Sequence, residues 1–207
     1  MSAARTAILS RLAAAQRTAR LPRPGEIAPL AQPARTLADC LARFREELQA
    51  LGVACAVEAT AEAVRRRLRA LVDCRRVLSW DPAQLPYDGG SVLDSPILGS
   101  AAREEQAVAE VGVTGCDGAI AETGTLVLYS GRGRARTVSL LPSVHIALVR
   151  PQDLCFSMGE FFAENAERIG AEACCTFITG PSRTADIELT LTLGVHGPGQ
   201  VVVLVGP

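Results

Sequence analysis

Apolar positions along this chain follow two alternating rhythms. Ile8, Leu12, Ala15 and Ala19 recur at helical spacing and predict a first helix ending by about Arg20. Pro22, Pro24, Pro29 and Pro33 then mark Leu21–Pro33 as an extended linker, because proline has no amide hydrogen to give a helix. A helix is expected from Thr36, a suitable N-cap, to Leu51, where Gly52 stops it. Val53–Val57 reads as a strand, Ala61–Leu71 as a helix and Arg76–Ser79 as a strand. Asp81–Gly90 reads as a loop and Ala101–Glu110 as a short helix. Strands are expected from Val111–Ala121 onward, clearest at Leu126–Tyr129 and Val144–Val149. A helix near Met158–Ile169 and strands at Cys174–Ile178 and Val201–Val205 complete the pattern. The apolar runs are short and do not alternate, as in buried parallel strands. Strands interleaved with helices predict an α/β fold, an open Rossmann-like sheet with helices on both faces. The expected organisation is an N-terminal helical extension and linker over 1–35 and one α/β domain over 36–207. No internal repeat and no GxGxxG fingerprint is present. Gly131-Arg132-Gly133 is too short and too charged to serve as one.

Composition narrows the function classes. With 48% apolar and 21% charged residues, the chain has the balance of a globular domain. Aromatic content of 4% argues against the stacking platforms that grip single-stranded nucleic acid. No apolar stretch is long enough to span a bilayer. The first 20 residues are Arg-rich and acid-free, but their helical spacing favours a docking helix over a transit peptide, and a cytoplasmic location is expected. Residues 1–76 hold 14 Arg and 7 acids (+7), whereas 77–207 hold 7 Arg and 15 acids (−8). That asymmetry suits either a partner or self-association into a homo-oligomer, or simply a basic helical layer over an acidic domain. Every basic residue other than histidine is Arg, so any anion site must use guanidinium groups, backbone amides or helix N-termini.

The seven cysteines form no Cys-x-x-Cys pair, which argues against a zinc or iron–sulfur site in this chain. Cys174-Cys175 sits in an apolar run, where cysteine acts as a small hydrophobe. Polar chemistry concentrates elsewhere. Glu122 lies in a Glu-Thr-Gly-Thr turn (Glu122, Thr123, Gly124, Thr125) before an apolar strand, where a carboxylate can act as nucleophile or general base, or simply order the turn. Gly180, Ser182, Arg183 and Thr184 gather hydroxyls, amides and a guanidinium in one turn, a suitable oxyanion or phosphate cradle. Asp186 and Glu188 follow, and Arg183 can equally brace the loops by pairing with Asp186 or Glu122. His145 and His196 are the only histidines; either can act as acid, base or ligand, but no spacing demands a metal. The basic loop 130–136 could clamp an anionic ligand or an acidic partner; Arg136 is the residue to test, while Arg132 and Arg134 read equally as an exposed loop without a role.

Three of these segments occur in an order that resembles the lactate-utilisation (LUD) domain family, nearest to its protein C branch. They are Glu122-Thr123-Gly124-Thr125, then Leu140-Leu141-Pro142 followed by His145, then Gly180-Pro181-Ser182-Arg183-Thr184-Ala185-Asp186-Ile187-Glu188 with His196-Gly197-Pro198. The resemblance covers roughly Val113 to the C-terminus. It implies a fold similar to the ribose-phosphate isomerases, glucosamine-phosphate deaminases and coenzyme A transferases. It also implies a subunit of a cytoplasmic L-lactate oxidising system. Iron–sulfur clusters are then expected on separate partner proteins, with none in this chain, and the ligand would be a small organic acid, a cofactor or a phosphorylated compound. Coenzyme A transferases carry a catalytic glutamate in a similar turn, so Glu122 is the catalytic candidate if the chain is instead a stand-alone isomerase-like or transferase-like enzyme.

Overall fold

The computed structural model describes residues 3–18, 35–184 and 192–207, in two units, Met1–Ala34 and Arg35–Pro207. In the first unit, helix α1 covers Ala3–Thr18, and Arg17 in its last turn complements the helix dipole. The proline segment Leu21–Pro33 and Ala19 lie outside the described residues.

The second unit opens with α2 (Leu37–Ala50). Thr36 caps it in a full capping box, its hydroxyl accepting from the Asp39 amide while the Asp39 carboxylate accepts from the Thr36 amide. Gly52, at φ +75°, turns the chain into β1 (Ala54–Val57). Helix α3 (Ala61–Val72), capped by Thr60, buries Val64, Leu68 and Val72 and leads to β2 (Val77–Ser79). The expected loop after β2 is wound into 3-10 turns within Pro82–Gln84 and Pro86–Val92, the latter kinked at Tyr87 and Asp88, which have φ +61° and +55°. Next come β3 (Ile97–Leu98), α4 (Arg103–Ala107) and β4 (Val111–Thr114). Helix α4 is shorter than its apolar pattern suggests, since Ala102 provides no side-chain cap.

The chain then alternates strands and turns through β5 (Gly118–Ile120), β6 (Thr125–Tyr129), β7 (Val144–Val149) and β8 (Leu154–Cys155). Helix α5 (Met158–Ala171) starts from a Ser157–Glu160 capping box. It is followed by β9 (Cys175–Ile178), the short pair β10 (Arg183–Thr184) and β11 (Thr192–Leu193), and β12 (Gln200–Val205).

Six strands form a wholly parallel sheet in the order β1-β12-β7-β4-β2-β3. Its centre is fully buried: Val113, Ile146, Leu148, Val203 and Leu204 are each 0% exposed. This is the α/β Rossmann-like class, a parallel sheet flanked by helices. The hydrophobic pattern did not foresee a second sheet, β8-β5-β6-β9, in which β6 runs antiparallel to both β5 and β9. Leu126–Tyr129 is therefore a buried antiparallel strand, and Cys175–Ile178 a partly buried one beside it. Their apolar residues pack beneath α5, where Phe161 meets Phe177 edge to face, and do not signal parallel pairing.

One topological feature positions ligands in such folds. From β2 the chain moves outward to β3, then returns past β2 to β4 and continues to β7 and β12. The connections leaving β2 and β4 thus diverge, opening a crevice between their C-terminal ends.

Candidate functional site

The first and third sequence motifs meet at the C-terminal end of α2. Gly124, at φ +62°, packs so closely on α2 that a Cβ there would lie 3.1 Å from the Leu48 amide nitrogen and from Glu47 Cβ. On the other side, Gly180 at φ +85° lies against Leu51, and the Arg183 guanidinium donates to the Leu51 carbonyl. A chain of hydroxyls links the two motifs: Thr123 Oγ1 to Thr125 Oγ1 at 2.7 Å, and Thr125 Oγ1 to Thr179 Oγ1 at 2.8 Å. Ser182 donates its amide to the Pro198 carbonyl, and its own carbonyl accepts from Gly194. That pair of bonds fastens the turn bearing the exposed His196 beside the cradle. Thr184 pairs with Thr192 in the β10–β11 ribbon. Asp186 and Glu188 lie outside the described residues.

Glu122 is half-buried and occupied. Its Oε1 accepts from the Met158 amide at 2.9 Å, and its own amide donates to the Phe156 carbonyl. A carboxylate on the first amide of α5 satisfies one of the orphan donors of a helix start and complements the dipole. Arg183, bound to Leu51, braces the loop through a backbone carbonyl instead of through Glu122.

The middle motif behaves differently. His145, in β7, is 0% exposed, and its Nε2 shares a 2.9 Å hydrogen bond with Thr114 Oγ1 of β4. Its Nδ1 has no partner among the described residues, and burial lowers its pKa to about 4. A histidine sealed inside the sheet does not join the exposed turn of His196. In the unfolded chain the ring regains an ordinary pKa near 6.5, so the unfolded state binds the extra proton between about pH 6.5 and 4. Stability is then full above pH 6.5 and falls as pH drops through that window. The contribution is on the order of 3 kcal/mol. Urea midpoints measured from pH 7 to pH 4 should show this decline, and His145→Gln should flatten it.

Arg136 is exposed, in the 3-10 turn Arg136–Ser139. In the basic loop it is Arg134 that the structure engages, and it lies at the crevice between β2 and β4. Arg134 Nε donates to Gln84 Oε1 at 2.7 Å, Nη1 donates to Asp117 Oδ1 at 2.6 Å, and the guanidinium sits 5.1 Å from the Trp80 ring centroid. Asp117 Oδ1 also accepts from Arg168 Nη2 at 2.7 Å, and Oδ2 accepts from the Tyr129 amide at 2.9 Å. Arg150, which follows β7, pairs in bidentate fashion with Asp153 at 2.8 and 3.0 Å. Cys116 also lines the crevice, but burial raises its thiol to about 12, which keeps it protonated and inert.

Motif reading missed Asp117, Trp80, Gln84, Arg150 and Arg168. A signal was available for Asp117: it follows Thr114-Gly115-Cys116, where a buried strand of the main sheet ends and the chain changes sheet. Among the described residues no group of three or more His, Cys, Asp or Glu side chains is placed to hold a metal ion.

Comparison with known proteins adds the following. The LUD domain model matches residues 72–205. The lactate utilization protein C of Geobacillus sp. (strain WCH70) is 44% identical over 101 residues, covering 47% of this chain and 42% of that protein. The protein of the same name from Shouchella clausii (strain KSM-K16) is 36% identical over 136 residues, covering 60% and 59%. The chain thus spans about half the length of the curated relatives it matches. A crystal structure of a DUF162 family protein from Deinococcus radiodurans superposes with a TM-score of 0.66 at 26% identity, covering 84% of this chain and all of that one.

Proposed function

Because this chain belongs to the LUD domain family, we propose that it is a subunit of a cytoplasmic L-lactate oxidising system that works with separate iron–sulfur proteins. The observation that carries this reading is its 36–44% identity to proteins named lactate utilization protein C. No described helix is long and apolar enough to cross a membrane, which accords with a subunit that meets its partners from the aqueous side. The surface around Arg183 and His196, held at the end of α2 and exposed, supplies cationic and hydrogen-bonding groups for a partner. In this reading Glu122 is a positioning residue, whose carboxylate fixes the start of α5 and thereby the cover over β5, β6 and β9.

Growth on L-lactate as sole carbon source tests both statements. A strain deleted for this gene, and lacking a second lactate oxidase, should fail to grow and be rescued by the wild-type gene. Glu122→Gln keeps an oxygen acceptor for the Met158 amide and should rescue fully. Glu122→Ala loses the bond, at a cost of about 1 kcal/mol, and should rescue partially with lower soluble protein. Normal growth of the deletion strain would remove the lactate role. Loss of rescue by well-expressed Glu122→Gln would instead make the carboxylate itself a reacting group and favour transferase-like chemistry.

A further inference from the structure

We propose that the crevice at the C-terminal ends of β2, β4 and β7 is a binding site for a small monocarboxylate, held by Arg134 and Arg150 beside Trp80. The inference goes beyond the subunit role and stands on separate observations. A cavity of about 240 Å³ opens where the strand connections diverge, the place where open α/β sheets take their ligands. Trp80 and Gln84 come from the segment after β2, Asp117 from the segment after β4, and Arg150 from the end of β7. A second cavity of about 310 Å³ shares Gln84 and Arg134 with the first and adds Arg132 and Arg168.

The charge arrangement points to an anion. Residues 77–207 carry only seven arginines against fifteen acids, yet four of the seven (Arg132, Arg134, Arg150 and Arg168) border these two cavities. Asp117, Asp153 and Glu172 pair with Arg134, Arg150 and Arg168, and Arg132, which borders the second cavity, has no ion pair among the described residues. Asp117 lines the smaller cavity as well, so a singly charged anion meets less repulsion there than a dianion does.

The guanidinium groups are already oriented. Asp117 and Gln84 fix Arg134, and Asp153 fixes Arg150, so little side-chain freedom is lost on binding. Each retains one Nη nitrogen (Nη2 of Arg134, Nη1 of Arg150) without a hydrogen bond among the described residues. Trp80 borders the same cavity, and its buried ring lies 5.1 Å from the Arg134 guanidinium and helps to hold it in place. The smaller cavity lies below the range of roughly 300–1,000 Å³ used by drug-sized ligands, which restricts the acid to a few carbon atoms.

Trp80 is the chain's single tryptophan, so the site carries its own fluorescent reporter. The full chain would be titrated with pyruvate and with L-lactate to roughly 10 mM, well above a millimolar dissociation constant. Lactamide serves as the neutral isostere and inorganic phosphate as the competing anion. Saturation-transfer NMR on the same samples gives a second readout independent of fluorescence.

The expected result is saturable binding of at least one acid, no binding of lactamide, and phosphate at least tenfold weaker. Arg134→Gln should abolish binding. Arg150→Gln, whose side chain is tied only to Asp153, leaves the fold intact and should weaken binding at least tenfold. The site is overturned if neither readout detects an acid, if phosphate binds as well, or if both arginine variants bind like wild type. These results are separate from lactate growth: an intact site with normal growth of the deletion strain would remove the lactate role and keep the site.

Discussion

Gly112→Ala is expected to cost about 3 kcal/mol of folding stability or more, the largest effect of any single methyl group in this domain. A Cβ built on Gly112 would lie 1.9 Å from the Val138 carbonyl oxygen and 3.1 Å from its carbon, with Pro142 Cγ 3.3 Å away. The two Val138 atoms are backbone of the 3-10 turn Arg136–Ser139, so no rotamer change relieves the collision. Either β4 or the turn must move by more than an ångström, and β4 is held on both sides by β2 and β7. The glycine is therefore required by close approach rather than by an unusual backbone angle. Gly170→Ala is the matched control. Gly170 sits in α5 with open space around it, and alanine there should leave stability unchanged or raise it by up to about 1 kcal/mol. Urea unfolding of the two variants decides the matter; equal midpoints would refute the close-approach argument.

Asp117→Ala should destabilise the protein by a comparable amount, about 3 kcal/mol, for an electrostatic reason. The Asp117 side chain is 6% exposed and holds Arg134, Arg168 and the Tyr129 amide together. Removing it leaves two guanidinium groups facing each other and a buried amide without an acceptor. The cost stays below that of a fully buried pair because Arg134 and Arg168 are 29% and 43% exposed, so water screens part of the repulsion. Asp117→Asn separates the contributions. It keeps an oxygen for the Tyr129 amide but loses the charge, and should fall between wild type and alanine. Denaturation at 0.05 M and 0.5 M salt adds a second check. Salt should narrow the gap between Asp117→Ala and wild type by screening the guanidinium repulsion, and an unchanged gap would point to lost packing instead.

The same two positions show where sequence reading reaches and where it stops. The apolar residues of Val111–Ala121 announce a region of strands, and nothing in that stretch singles out Gly112, which lies in β4. Only the folded chain shows that the Val138 carbonyl rests on it, 26 residues further on. Glu122 was legible as a functional candidate because its turn is compact and polar. Its partner, the Met158 amide at the start of α5, lies 36 residues away, and nothing local announces it. In the sequence His145 opens an apolar strand, which favours a structural role, whereas His196 lies in a turn. The sheet separates them by enclosing one and exposing the other.

What the sequence determined by itself is therefore short-range and periodic. It specified the helices and the cap at Thr36, the apolar strands, the α/β class, and the three motif segments that carry family membership. Each of these depends on residues within a few positions of one another. Such local patterns survive in the linear chain, because capping bonds and hydrophobic periodicity span at most a turn or two. The tertiary structure alone decided the strand order and the separate antiparallel sheet. It also alone brought together Trp80, Asp117, Arg134, Arg150 and Arg168 around one crevice. Those contacts cross tens of residues, where the energy of burying apolar strands and pairing charges selects the neighbours and no local spacing encodes them.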